Sequence, residues 1–448
     1  MRIDALLDYQ AIVACHTQPV HFAVRLRADP VDNPRPQPAA FCVVLDRSGS
    51  MSGQPLAHAK AAAAFAVKNL RPRDQFALVV FDDAAQTVIP LQPATNKTAL
   101  LARIGRIEEG GSTNLSAGWM LGRDELHKSP AGTSRRLLLL SDGQLNAGIT
   151  EPSAVRQIVA AGLEKDTVRT SCLGFGDGYN EDLMADLARA TNGAFYDADS
   201  PEKLPAIFAA ELDGLQRLAV QNLRLRIKPL DYCEALAPLG EYPQVELPDG
   251  RVEFALGDLV AEEERIVCFA VQVLALPTIN GQPVFKFEGE PLLDVEVVYD
   301  ELDQNGVASR EYCQRINIQA VQDAGSVRLN GEVVQWVALQ RAGKAVSEAT
   351  REMDAGRAPA AAALLKQAIA DLRRYGEAQG VGEALHMLEE TLARIDLGEW
   401  SARDRKAVCY GARSLRRMSS AEMWTGAAPP PSFKKPRTGS KTPGKRNG

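Results

Sequence analysis

From Ala40 to Leu218, short and almost wholly apolar runs take turns with helical stretches, and this alternation limits what the 448-residue chain can fold into more than any other feature. FCVVLD, FALVVF, RRLLLLSD and VRTSCLGFG are continuous apolar segments of strand length. Between them lie QPLAHAKAAAAFAVKNL, LSAGWMLGRDELHK and PSAVRQIVAAGL, whose apolar residues recur at helical spacing. A strand that is apolar at every position must be covered on both faces, and helices between strands supply that cover. The pattern predicts a doubly wound α/β unit with a parallel sheet over residues 40–216.

The flanks have a different texture. QPVHFAVRLRADP alternates polar and apolar residues before three prolines break it, and after Leu218 the same period of two returns in AVQNLRLRIK, RVEFALGDL, RIVCFAVQVLAL, LLDVEVVYDE and REYCQRINIQAV. LPDG, INGQ and DQNG separate these segments as turns. We read 217–322 as an antiparallel β-sandwich and 1–39 as a lone strand that pairs into it, so that the α/β unit is inserted in the sandwich or followed by it. Helical periodicity resumes over 326–420, with Gly356 and Pro359 marking a break, and predicts a helical bundle. Residues 425–448 read as a disordered basic tail.

Composition enters through charge and cysteine. The net charge of -6 includes six basic residues after position 430, namely Lys434, Lys435, Arg437, Lys441, Lys445 and Arg446, with no acid among them, so the rest of the chain carries -12. An acidic body argues against nucleic acid as a partner. Seven cysteines, at 15, 42, 172, 233, 268, 313 and 409, form no CxxC pair and are spaced unlike a zinc site or a disulfide framework. The N-terminal segment has no basic start followed by a long apolar core, and no run reaches the length of a membrane span. These features lead us to expect a cytoplasmic protein with no membrane partner.

Chemistry concentrates where the first apolar run ends. In FCVVLDRSGSMSG, Asp46, Ser48 and Ser50 occupy alternate positions directly after the strand, and Gly49 and Gly53 let the loop curl. A curled loop turns alternate side chains toward one point, and a carboxylate with two hydroxyls suits a small hard dication that keeps some water. Ligand sites in doubly wound folds lie at the carboxyl ends of the strands. Three ligands from one loop hold an ion weakly, so further oxygens are expected at other strand ends. GGSTNLSAG offers Thr113, and RRLLLLSDGQLNAG ends its strand in Ser141 and Asp142.

This ordered set, DxSxS followed by the threonine of GGSTN and then SDG, resembles the von Willebrand factor type A (VWA) domain in its bacterial cytosolic form. The resemblance runs from Ala40 to about Leu215 and implies an intact metal-ion-dependent adhesion site. It assigns Asp46, Ser48, Ser50, Thr113 and Asp142 to Mg2+, with Mn2+ or Ca2+ as alternatives. It further implies that the ion leaves one coordination position for an aspartate or glutamate of a partner protein. A MoxR-type AAA+ ATPase or a signalling protein is the kind of partner implied. The expected function is therefore a non-enzymatic protein-protein interaction module or adaptor. Two alternatives stand beside it: a metal-assisted hydrolase, opposed by the lack of histidine in the ligand loops, and a secreted adhesin, opposed by the absent signal segment. Asp82, Asp83 and Asp177 read as turn residues, and His58 and His127 as exposed or packing residues. Glu262, Glu263 and Glu264 read as a solvated turn, or as carboxylates for the site of a neighbouring copy.

Overall fold

The structure is a computed structural model. It describes residues 1–418 apart from 15, 31–37, 131–132, 143, 176–178, 199–202, 281, 284–288, 304–305, 322–324, 326 and 376–379. The expectations for Cys15, Asp177 and the tail 425–448 lie outside the described residues.

Three strands open the chain: β1 (Arg2–Leu7), β2 (Ala11–Val13) and β3 (Gln18–Arg27). The α/β unit follows as β4 (Ala39–Asp46), α1 (Gln54–Asn69), β5 (Gln75–Phe81), β6 (Ala85–Pro93), α2 (Lys97–Gly105), α3 (Leu115–His127), β7 (Ser134–Ser141), α4 (Pro152–Asp166), β8 (Val168–Phe175), α5 (Glu181–Ala190), β9 (Phe195–Ala198) and α6 (Leu204–Gln216). Its sheet has the order β6-β5-β4-β7-β8-β9. The apolar runs divide by parity, as two covered faces require. Phe41, Val43 and Leu45 of β4 join one core with residues of α1, α2 and α6, whereas Ala40, Cys42 and Val44 join a second core with residues of α3, α4 and α5. Every residue of β4 is buried.

One expectation needs correction here. The sheet is mixed, because β6 pairs antiparallel with β5 at the edge. Its sequence, AQTVIPLQP, carries three polar residues and two prolines, which suit an edge strand and not a central one. Glu125 of α3 holds this edge by accepting the Leu91 N–H at 3.0 Å and the Thr87 hydroxyl at 3.0 Å.

The remaining strands are β10 (Leu218–Pro229), β11 (Cys233–Pro238), β12 (Gln244–Glu246), β13 (Val252–Val260), β14 (Glu264–Val273), the short pair β15 (Thr278–Ile279) and β16 (Gln282–Pro283), β17 (Glu290–Asp303) and β18 (Gly306–Val321). They form sheets of order β1-β3-β14-β11 and β12-β13-β10-β17-β18-β2, to which the N-terminal segment contributes three strands rather than a lone one. β3 runs antiparallel to β14 from Arg27 opposite Glu264 to Gln18 opposite Val273. The α/β unit is therefore carried between β3 and β10, each a member of one of these sheets. Alternate residues of the two sheets share a core, in which Phe22 stacks on Phe269 at 4.8 Å and Phe254 meets Phe269 edge-on at 5.0 Å.

Four helices complete the described chain: α7 (Gly331–Asp354), α8 (Ala358–Leu372), α9 (Val381–Leu397) and α10 (Ala402–Arg417). Gly356, at φ 72°, separates α7 from α8. The helices have their own core, and α7 also covers the outer face of the four-stranded sheet, setting Val333, Trp336 and Val337 against Ala23, Ile266 and Cys268. Gln340 is fully buried there. Its amide donates to the Ile266 carbonyl at 3.0 Å and accepts from the Cys268 N–H at 3.3 Å. No helix among the described residues is long and apolar enough to cross a membrane.

Candidate functional site

The central strand β4 has β5 on one side and β7 on the other. The chain leaves β4 to build one half of the sheet and returns at β7 to build the other, so the crevice at their carboxyl ends is a topological switch point. Asp46 is the last residue of β4, and Ser141 is the last of β7.

Asp46 is fully buried. Its Oδ1 accepts the Ser48 N–H at 2.9 Å and its Oδ2 accepts the Ser141 hydroxyl at 2.6 Å, a bond that ties the two strand ends together. The hydroxyls of Ser48 and Ser50 lie 3.1 Å apart, the first buried and the second exposed. Between them Gly49 donates its N–H to the Gly111 carbonyl at 2.8 Å, and Gly110 donates to the Arg47 carbonyl at 2.7 Å. The DRSGS loop and the GGSTN loop are thus laced through their backbones.

Thr113 is buried on the second loop, and its carbonyl accepts from Ala147 at 3.1 Å and Asn146 at 3.3 Å, residues of the loop that follows Asp142. Asp142 is itself buried, with Oδ1 accepting the Gln144 N–H at 3.1 Å, and its carbonyl accepts the Asn180 N–H at 2.9 Å. The structure therefore brings the loops bearing Asp46, Ser48, Ser50, Thr113 and Asp142 to one end of the sheet and bonds each to the next.

The model of the von Willebrand factor type A domain family matches residues 42–210. Those residues are a VWA domain. The likeness of fold reaches further than the family match. A von Willebrand factor type A protein from Catenulispora acidiphila superposes over 93% of this chain and 96% of its own, with a TM-score of 0.70 at 18% identity. The ArnB paralog VWA2 of Sulfolobus acidocaldarius does so over 93% and 98%, with a TM-score of 0.62 at 15% identity. An uncharacterized protein of Synechocystis is 27% identical over 335 residues, 71% of this chain and 79% of that one.

The site of the VWA domain is built for close backbone approach. A Cβ on Gly110 would stand 2.1 Å from Asp82 Oδ2, and one on Gly111 would stand 2.2 Å from Asp83 Oδ2. Asp82 also pairs with Arg47 at 2.7 Å and caps its own turn through the Ala84 N–H, while Asp83 accepts the Ser112 N–H at 3.1 Å. Sequence reasoning gave both aspartates only as turn residues, and in the fold they also hold the Thr113 loop. Asn114 caps α3 by accepting from Ala117 at 3.1 Å. Ser141 and Asn180, which bond the Asp46 carboxyl and the Asp142 carbonyl, lie outside the five residues that the sequence pattern names; their signals are the serine inside SDG and the asparagine before EDLMADL.

Electrostatics sharpen the chemistry. Burial pushes the Asp46 carboxyl up to about 6, against the opposing bonds from Ser141 and Ser48, and the neighbouring charge of Asp142 raises it further. In so dry a place, with a second acid close by, the charged form of this carboxyl is disfavoured. Two carboxylates and three hydroxyls are a hard-oxygen donor set that fits Mg2+ and offers no soft ligand to favour a thiophilic metal.

The other residues singled out in the sequence lie elsewhere. His127 is exposed at the end of α3 and sits 3.0 Å from Asp166. His58 is half-buried on α1. Glu263 is buried rather than solvated, accepting the Val260 N–H at 3.0 Å and an Arg265 N–H at 2.7 Å, which takes it out of reach of any neighbouring copy. Glu262 is exposed beside it, at φ 67°.

Proposed function

We propose that this protein is a non-enzymatic interaction module of the cytoplasm, whose VWA domain binds an acidic side chain of a partner protein through Mg2+. Asp46, Ser48, Ser50, Thr113 and Asp142 would hold the ion. When bound, Mg2+ supplies positive charge and an open coordination position that a carboxylate can fill. VWA domains as a family often mediate contacts between proteins. The single observation that supports this reading most is Asp46, a fully buried carboxyl with a raised affinity for protons at the end of the central strand. A group so placed gains most from a dication.

The protein's own residues have definable parts in this reading. Ser141 orients Asp46 by donating to Oδ2, and the Ser48 N–H fixes the other oxygen. Ser48 and Ser50 contribute neutral oxygens, so the bound ion keeps uncompensated charge for the partner. The partner presents aspartate or glutamate, and a MoxR-type AAA+ ATPase or a signalling protein is the class we propose for it. One desolvated acidic anchor of this kind can dominate the energy of an interface.

The experiment is a pull-down from native lysate with the wild type and with Asp46→Ala, each in Mg2+ and in EDTA, alongside calorimetric titration of Mg2+. A partner retained only by the wild type in Mg2+ is the expected result. Identical partners in all four samples, or no heat of Mg2+ binding to the wild type, would refute it.

A further inference from the structure

We propose that the C-terminal helix α10 is a positioning element of the cation site, acting through the first turn of α5, so that ion binding and the docking of α10 favour one another. The inference rests on the Mg2+ reading above and names a part of the chain outside the VWA domain that tunes the same site.

The observation is a short chain of direct contacts. The Asn180 N–H donates to the carbonyl of Asp142 at 2.9 Å, and the Asn180 side chain caps α5 by accepting from Leu183 at 3.1 Å. The next two residues, Glu181 and Asp182, are gripped by one side chain of α10. Arg405 donates to Glu181 Oε1 at 2.5 Å, to Asp182 Oδ2 at 2.9 Å and to Asp354 Oδ2 at 2.7 Å. Its neighbour Lys406 is buried, with Nζ 3.8 Å from the ring centre of Tyr179, and the Tyr179 hydroxyl donates to Asp197 at 2.8 Å. Residues 179–182 are thus held by α10 and in turn hold the backbone of Asp142.

α10 does not hang free behind this contact. Val408 and Ala412 sit in the core of the helical region, and Asp354 stands at the end of α7, so Arg405 joins two helices of that region to α5. The guanidinium fork suits this task, since its five donors point outward in a fixed plane and reach three carboxylates at once.

The energetic argument concerns Asp142. To share a cation with Asp46 its backbone must stay fixed while two carboxylates are brought close, and the fixing costs conformational entropy. A segment already clamped by α10 lowers that cost when the ion arrives. By linkage, an ion that fixes Asp142 must strengthen the clamp by the same factor.

The test uses the full chain in two measurements. Calorimetry with Mg2+ on Arg405→Ala is expected to show affinity weakened about five- to twentyfold, with Arg405→Lys intermediate. Arg373→Ala, which removes an ion pair with Glu389 inside the helical region, is expected to leave it unchanged. Hydrogen exchange of α10 is expected to slow in Mg2+ relative to EDTA in the wild type and to be indifferent to Mg2+ in Asp46→Ala. A purely structural ion pair would not give α10 an ion-dependent exchange rate. If the wild type binds Mg2+ while α10 exchange is the same with and without it, or if Arg405→Ala keeps full affinity, the coupling is overturned and the cation site stands. If the wild type binds no Mg2+, the cation reading itself fails and takes the coupling with it. Should Arg405→Ala not fold, the exchange experiment on the wild type decides alone.

Discussion

Asp46 is where sequence, burial and charge meet. Its folded carboxyl titrates at about 6, against 3.8 when exposed. In the ion-free protein this acid holds its proton more tightly than the unfolded chain does, so its contribution to stability is full below about 3.8, falls as pH rises, and is gone above about 6. Converted at 1.36 kcal/mol per pH unit, the contribution is at most ~3 kcal/mol. Asp46→Asn keeps the shape without the charge, with its amide oxygen accepting the Ser48 N–H and its NH2 donating to the Ser141 hydroxyl oxygen. We expect it to melt higher than the wild type in EDTA at pH 7.5 and to show little difference at pH 4, while gaining nothing from Mg2+. Thermal scans in the two buffers check this, and equal melting at pH 7.5 would mean that no uncompensated charge is buried there. Ion binding has the opposite sign, because the cation needs the carboxylate, so Mg2+ affinity is expected to weaken as pH falls through about 6. The alternate spacing of Asp46, Ser48 and Ser50 after an apolar run was legible in the sequence. The hydroxyl bond from Ser141 was not, since it joins residues 95 positions apart.

Elements are fixed by where glycine and aromatic residues let them approach. Gly162 of α4 faces Trp119 of α3, and a Cβ there would stand 2.4 Å from the indole ring. The indole is fully buried and donates to the Thr170 hydroxyl at 2.9 Å. Alanine in mid-helix is favoured over glycine by about 1 kcal/mol, yet overpacking a tight core costs about 1–3 kcal/mol, and a pinned indole has little room to yield. Gly162→Ala is therefore expected to be net destabilising, by up to about 2 kcal/mol after these terms offset. Chemical denaturation measures it, and a stabilised variant would show that α3 and α4 can separate without loss. The helices and apolar strands of the α/β unit were legible because parity and helical period are local patterns. The edge strand β6 was not, because a half-exposed strand with two prolines carries too weak an apolar signal.

At the scale of the molecule, α7 joins the helical region to the four-stranded sheet, and Gln340 is its most exacting contact. Gln340→Leu removes an acceptor from Cys268 and a donor from Ile266, leaving two buried backbone groups without these partners at about 1–3 kcal/mol each. We expect the helical region to unfold at lower denaturant than in the wild type, with faster hydrogen exchange in α7, and a shared unchanged transition would show that water replaces the amide. Such contacts separate what the sequence determined from what the fold decided. The sequence by itself determined which segments are apolar on two faces, which on one, and where glycine and hard-oxygen residues follow a strand, because these follow from the period of side-chain direction along a chain. Only the tertiary structure decided which strand each period-two segment takes as partner, how three loops lace into one site, and that Arg405 reaches Glu181 across 224 residues. Those outcomes depend on long-range closure and mutual packing, which no local pattern encodes.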